Sequence, residues 1–304
     1  MILNQDHDNS SFLVAFDKTT GNQLWKVDRW EFPRGYATPV IWEVDGKKQV
    51  VVAGTLRAVG YDLESGKEIW TVRGLARIIN MTPVIGPDNI LYLAAWAPGA
   101  DESDRIEAAP FAEMLEKYDK NKNGSLEIDE FPRGELKNRF SQIDRDKNGK
   151  ITKDEYENMR RIFATAQNMV VAIKPGGVGD ITASHVLWSQ KKQIPYVPSP
   201  VYYKGQLYMV KNGGLLSCLD AKTGKPTKQE RVYGKSGYFA SPVAGDGKLY
   251  LFSERGEFSV VKAGADWEEI SWGKFNESIF ASPAIADGRI YVRTEQRLYC
   301  FGLK

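Results

Sequence analysis

Polar and apolar residues alternate in short bursts along most of the chain, at Gln49–Val52, Ile90–Leu93, Gln206–Val210, Lys248–Phe252 and Arg289–Val292. A two-residue period sustained over four or five positions predicts a short β-strand. Ahead of each burst lie a turn with Gly or Asp and, before that, one small signature: a Ser or Thr, then Pro, then an aliphatic or small residue. It reads Ala37-Thr38-Pro39-Val40, Met81-Thr82-Pro83-Val84, Pro198-Ser199-Pro200-Val201, Ala240-Ser241-Pro242-Val243 and Ala281-Ser282-Pro283-Ala284. The prolines step forward by 44, 117, 42 and 41 residues. The long step is one ordinary period plus about 75 residues, so one repeat carries an insert.

A period in the low forties filled with about four short strands is what a β-propeller blade requires. Inside the insert the period changes. Phe111, Met114, Leu115 and Tyr118 fall on one helical stripe; Leu136, Phe140 and Ile143 repeat it, and Tyr156, Met159, Ile162 and Phe163 repeat it again. Pro110 and Pro132 stand ahead of the first two stripes. These stripes predict a small helical core belonging to the insert itself.

Between the stripes lie two oxygen-rich segments of twelve residues, Asp119 to Glu130 and Asp144 to Glu155. A calcium loop supplies oxygens from positions 1, 3, 5, 7, 9 and 12. In the first segment these are Asp119, Asn121, Asn123, the carbonyl of Ser125, Glu127 through water, and a bidentate Glu130. In the second they are Asp144, Asp146, Asn148, the carbonyl of Lys150, Thr152 and Glu155. Gly124 and Gly149 take position 6, where the chain bends with positive φ. Two calcium sites are therefore expected. Asparagines among the ligands and lysines or arginines between them weaken the attraction for the ion, which places dissociation constants on the order of micromolar to millimolar. The loops start only 25 residues apart, which leaves no room for two full helices between them and argues against a groove that opens on binding.

A second mark closes several repeats. Ala15, Asp17, Gly21 and Trp25 fit Ala-x-Asp-x-x-x-Gly-x-x-x-Trp; Gly60, Asp62, Gly66 and Trp70 fit with Gly for Ala; Cys218, Asp220 and Gly224 fit with Lys228 in the Trp position. The Asp can cap a tight turn, the Gly supplies positive φ, and the large ring can dock between blades. These repeats resemble those of the quinoprotein-dehydrogenase-like, PQQ-binding-like propeller family with its tryptophan-docking motif. That family includes the lipoprotein of the outer-membrane β-barrel assembly machinery, and the insert resembles an EF-hand pair. The resemblance implies that the insert, carried by a second-to-third-strand loop, overhangs the face on which the blades connect.

The expected architecture is mainly β: propeller blades over residues 1–96 and 168–304, with an α-helical EF-hand pair over 100–167. Four nearly whole blades stand between two incomplete ones, so either the terminal strands close a six-blade ring with imperfect edges or the chain is the carboxyl part of a longer propeller; the resemblance, which implies seven or eight blades, favours the second. No stretch has the roughly 18 apolar residues of a transmembrane helix, and no basic, apolar leader opens the chain. The formal charge of +2, with 41 basic and 39 acidic residues interspersed, gives no nucleic-acid footprint. Cys218 and Cys300 occupy a slot filled elsewhere by Ala15, Gly60 and Ala172, so both are expected to be core thiols.

Catalysis is disfavoured. A quinoprotein oxidoreductase of the resembled family implies a vicinal cysteine pair and a complete propeller, and no adjacent cysteines occur; bound PQQ is not expected. His7 and His185 are the sole histidines, and His185 reads as a strand end beside Trp188. Gly176-Gly177-Val178-Gly179 lacks the Lys-Ser/Thr of a phosphate loop and reads as a widened turn. The expectation is a calcium-binding, non-enzymatic binding or assembly scaffold of the periplasm or cell envelope. The alternatives are a PQQ-dependent oxidoreductase and a calcium-switched interaction module. Three residues before each signature proline stand Tyr36, Asn80, Val197, Phe239 and Phe280, with Arg34, Arg77, Tyr196, Tyr238 and Glu277 nearby. They could form an aromatic mouth for a protein or small-molecule ligand, or merely pack the blades together.

Overall fold

The computed structural model describes residues 1–8, 10–101 and 103–302. Six sheets of three or four consecutive antiparallel strands follow one another along the chain, the second with a short parallel strand added at its edge. Sheet 1 holds Ile2–Gln5, Phe12–Phe16 and Gln23–Asp28. Sheet 2 holds Val40–Val44, Lys47–Gly54, Arg57–Asp62 and Glu68–Arg73. Sheet 3 holds Val84–Ile85, Leu91–Ala95, Met169–Ile173 and Val186–Gln190. Sheet 4 holds Val201–Tyr203, Gln206–Lys211, Leu215–Asp220 and Pro226–Arg231. Sheet 5 holds Val243–Gly245, Lys248–Phe252, Glu257–Lys262 and Glu268–Lys274. Sheet 6 holds Ala284–Ala286, Arg289–Arg293 and Leu298–Gly302. Each alternating burst falls on the second strand of its sheet, and each signature proline precedes the first.

Sheets of this kind are buried on both faces, and the sequence shows why. In Val50-Val51-Val52-Ala53 the even residues pack against sheet 1, beside Leu13 and Ala15, while the odd ones pack against Leu91 and Leu93 of sheet 3. The same division recurs through the next three interfaces: Tyr92 and Ala94 meet Leu207 and Met209, Tyr208 and Val210 meet Leu249 and Leu251, and Phe252 meets Val292. At about 25 cal/mol per Å² of apolar surface, these layers supply most of the stability. Successive sheets are also linked by the signature itself. Thr82 donates its amide to Ser199 Oγ, Ser199 to Ser241 Oγ, and Ser241 to Ser282 Oγ, each at 2.9 Å.

The Asp turn of the docking motif forms in sheets 1, 2 and 4, and its docking residue reaches the next sheet from sheets 1, 3 and 4. Asp17, Asp62 and Asp220 each accept from an amide two or three residues on, and hydrogen bonding holds their carboxyls below the usual range. Trp25 lies so close to Gly66 of the next sheet that a Cβ there would come within 2.6 Å of the ring, and its Nε1 donates to Leu63 O at 3.0 Å. Trp188 repeats this against Gly224 and Ala221 O. Lys228 does the same electrostatically: its ammonium donates to Trp267 O at 2.8 Å and sits over the Trp267 ring. The slot residue faces the docking residue across the ladder in every case, Ala15 to Trp25, Gly60 to Trp70, Ala172 to Trp188 and Cys218 to Lys228.

Two expectations need correction. Trp70 does not dock outward. Its ring folds over Gly60, its Nε1 donates to Gln49 Oε1 at 2.6 Å, and it meets Trp42 edge to face. Beside it, Gly179–Asp180 of the widened turn forms a short strand pairing in parallel with Trp70 and Thr71. Cys300 is exposed, whereas Cys218 is buried. Among the described residues sheet 6 has three strands, and none lies opposite the slot to cover the thiol. Leu3, Leu24, Leu298 and Phe301 are exposed on the two end sheets as well.

Candidate metal centre

The chain leaves sheet 3 after Leu91–Ala95, folds the insert, and returns at Met169–Ile173, the strand paired with the one it left. Asn168 holds the crossing point: its Oδ1 accepts from Ala97 N at 2.7 Å and its Nδ2 donates to Ala97 O at 3.1 Å. Helix α1 spans Phe111–Tyr118, α2 Glu135–Asn138, α3 Phe140–Ile143 and α4 Lys153–Thr165. The middle pair is a turn apiece, as the short spacing between the loops demands. Phe111, Met114, Leu126, Phe131, Phe140, Ile143, Ile151 and Tyr156 form the insert's buried core. Ile162 and Phe163, expected in that core, are buried outside it: Arg77 from the connection between sheets 2 and 3 lies over the Phe163 ring. Burial and the neighbouring Arg139 and Arg34 charges push the Arg77 pKa down to about 10.

The two loops carry the same hydrogen-bond network. In the first, Asp119 accepts from the amides of Asn123 and Gly124 at 3.2 and 2.9 Å, and Asn121 Oδ1 accepts from Asn123 N at 3.0 Å. Asn123 Oδ1 accepts from Ser125 N at 2.9 Å, and Glu130 bridges the amides of Lys120 and Glu127 at 2.8 and 3.0 Å. In the second, Asp144 accepts from Asn148 and Gly149, Asp146 from Asn148, and Asn148 from Lys150. Glu155 bridges the amides of Arg145 and Thr152, both at 2.9 Å. Gly124 and Gly149 have φ of 78° and 81°, and Lys122 and Lys147 share a φ of 58°. Leu126–Glu127 and Lys150–Ile151 pair as a two-stranded ribbon that sets the loops back to back. Thr152 and Glu155 also form a capping box that starts α4.

The fit to a hard divalent cation differs between the loops. One ligand oxygen each from Asp144, Asp146 and Glu155 lies within 4.8 Å of the others, and Asp144 is only 6% exposed. Three carboxylates drawn so close repel one another without a cation between them. In the first loop Asn121 replaces one of these carboxylates, that of Asp146, and Asn123 keeps the asparagine that Asn148 supplies in the second. Their amide nitrogens donate to Glu127, Asn121 at 3.1 Å and Asn123 at 2.7 Å, and Lys150 Nζ stands 3.7 Å from the same carboxylate. Glu130 is buried, and hydrogen bonds from Glu127 and from the Lys120 and Asn121 amides push its pKa down to about 2. It is thus held ionised, as a bidentate ligand must be.

Elsewhere the anticipated groups separate. Tyr36, Phe239 and Phe280 are exposed, with the last two rings 5.5 Å apart; Asn80 donates to Tyr196 O, and Tyr196 packs edge-on against Trp96. Val197 is partly buried and Tyr238 is fully enclosed. Glu277 is tied to Arg297 and Thr294. His185 closes the widened turn on a short helical turn, its Nδ1 2.8 Å from Ser184 Oγ, and burial presses its pKa down. The sequence reading missed Trp188 as a docking residue, Asn168 as the clamp and Arg145 as a contact to the blades. Trp188 was detectable as the one large ring after the Ala172 slot.

A run of packed antiparallel sheets with tryptophan docking, carrying a helical module with EF-hand-type loops, defines the class of protein. The sequence profile of the family described as outer membrane protein assembly factor BamB matches residues 1–99 and 149–304, and the chain belongs to that family. An EF-hand profile matches residues 136–159, which contain the second loop. The crystal structure of BamB from Moraxella catarrhalis superposes with a TM-score of 0.58 at 12% identity, covering 98% of this chain and 70% of that one. None of the curated proteins matches the chain.

Proposed function

We propose that this chain is a calcium-binding propeller of the cell envelope that acts as a non-enzymatic binding or assembly scaffold, with one ion held in each loop of the insert. The observation that carries the reading is the convergence of Asp144, Asp146 and Glu155 on one point, with Asp144 buried. Asp119, Asn121, Asn123, the Ser125 carbonyl, Glu127 and Glu130 would hold the first ion. Asp144, Asp146, Asn148, the Lys150 carbonyl, Thr152 and Glu155 would hold the second. The second loop, with three carboxylate oxygens drawn within 4.8 Å of one another and a matching EF-hand profile, is the tighter one. Affinity in the micromolar to millimolar range suits an extracytoplasmic compartment, where the ion stays bound and rigidifies the insert. The assembly role is carried over from the BamB family, whose name describes an assembly factor, and the neighbouring exposed rings of Phe239 and Phe280 offer aromatic surface to a partner.

Calorimetric titration of the chelator-treated protein with calcium tests the reading. Two binding events are expected, with Glu155→Gln removing the tighter and Glu130→Gln the weaker. No heat at millimolar calcium, or heat that survives both substitutions, would count against it.

A further inference from the structure

The second loop does more than face a cation; it also touches the propeller. Arg145 occupies its second position. The backbone amide of Arg145 donates to Glu155 Oε1 at 2.9 Å, and its guanidinium donates to the carbonyl of Trp30 and lies 5.6 Å from the centre of that ring. Trp30 belongs to the connection between sheets 1 and 2, 115 residues away in sequence. That connection is a firm seat. Arg29 is fully buried and forked onto Asp6 by two bonds of 2.8 Å, Ser11 Oγ donates to Phe32 O, and Trp30 N is capped by Asp28. The equivalent residue of the first loop, Lys120, makes the same amide bond to Glu130, but its ammonium turns back to Asp129 O. Among the described residues, the second loop alone reaches the blades through this position.

We infer that cation binding in the second loop and seating of the insert on the propeller are coupled through Arg145. This rests on the calcium reading above and deepens it. Without a cation, Asp144, Asp146 and Glu155 repel one another and loosen the loop, and the guanidinium of Arg145, the residue between Asp144 and Asp146, is drawn over them. An ion in the loop displaces that guanidinium, fixes Glu155, and through its carboxylate fixes the Arg145 backbone. The side chain is left extended toward the Trp30 carbonyl and the indole face, which together suit a cation. Linkage makes the effect mutual: whatever the ion adds to seating, seating adds to ion affinity. The insert is therefore expected to sit more tightly on the connection between sheets 1 and 2 when the second loop is filled.

Hydrogen exchange of the full chain, with and without calcium, tests this alongside terbium luminescence as an independent measure of loop occupancy. In the wild type, calcium should slow exchange across residues 28–33. Arg145→Gln should abolish that slowing while terbium still binds, and should lower the affinity of the second loop by about fivefold or more, the lower end of usual coupling. Trp30→Gly, which alters an exposed side chain, should weaken the slowing in the same sense. Lys120→Gln should retain it. The inference fails if exchange at 28–33 ignores calcium although terbium reports filled loops, if Arg145→Gln keeps the slowing, or if Lys120→Gln abolishes it equally. A protein silent to terbium refutes the calcium reading itself, and this inference with it.

Discussion

The amide of Ser199 donates to the hydroxyl of Ser241 at 2.9 Å, 42 residues along the chain. The same bond joins Thr82 to Ser199 and Ser241 to Ser282, across gaps of 117 and 41 residues. The repeat period is thus also a hydrogen-bond period, which gives the Ser or Thr of the signature a physical task. Ser241→Ala leaves a partly buried amide without its acceptor and should cost about 1 kcal/mol in denaturant unfolding. Ser282→Ala, at an exposed position, should cost less because water can replace the hydroxyl.

The slot opposite the docking residue tolerates different sizes in different sheets. Ala15 and Ala172 leave room because Trp25 and Trp188 reach the next sheet. Gly60 cannot be enlarged, since an added Cβ would lie within 2.2 Å of Trp70. Gly60→Ala should therefore destabilise by about 1–3 kcal/mol, although alanine is the residue found at this slot in two sister sheets. Thermal unfolding of Gly60→Ala beside Ala15→Gly would show whether the first is the costlier.

Asp6 and Arg29 form a fully buried ion pair, with Tyr61 as a further partner of the guanidinium. Removing one charge strands the other. Asp6→Asn should cost about 3–5 kcal/mol and, because Arg29 anchors the connection that carries Trp30, should also speed exchange at residues 28–33. Unfolding measurements and exchange rates check the two halves separately.

Glu130 has its pKa depressed from the ordinary 4.5 to about 2 by bonds from Glu127 and from backbone amides. A carboxyl whose folded pKa is lowered stabilises above its unfolded value and loses that contribution as pH falls through the folded one. The first loop should thus hold its shape down to about pH 4.5 and melt progressively toward pH 2. NMR of the Lys120 and Glu127 amides across this range would follow it, and Glu130→Gln should flatten the response.

Much of this molecule could be read from its residues because the governing interactions are local or periodic. A calcium-type loop spans twelve residues, so Asp144, Asp146 and Glu155 declare their convergence by spacing alone. The insertion point was visible because the interruption falls between two strands that are neighbours in the sheet. What could not be read depends on contacts remote in sequence. Trp188 escaped because the widened turn lengthens its distance from the Ala172 slot. Trp70 packs inward against Gln49 and Trp42, residues outside its own motif. Cys300 sits at the slot as the pattern says, yet the slot is covered only where a fourth strand exists. The bond from Arg145 to Trp30 follows no repeat and left no mark.

Asn168 holds both flanks of the inserted module side by side at Ala97, so the host sheet meets its guest as a two-point socket. Such a joint transmits almost no demand about what hangs from it, beyond a pair of ends that start and finish close together. Over evolutionary time, or at an engineer's bench, the helical unit could be exchanged for another cargo with neighbouring termini, and the blades beneath would go on stacking as before.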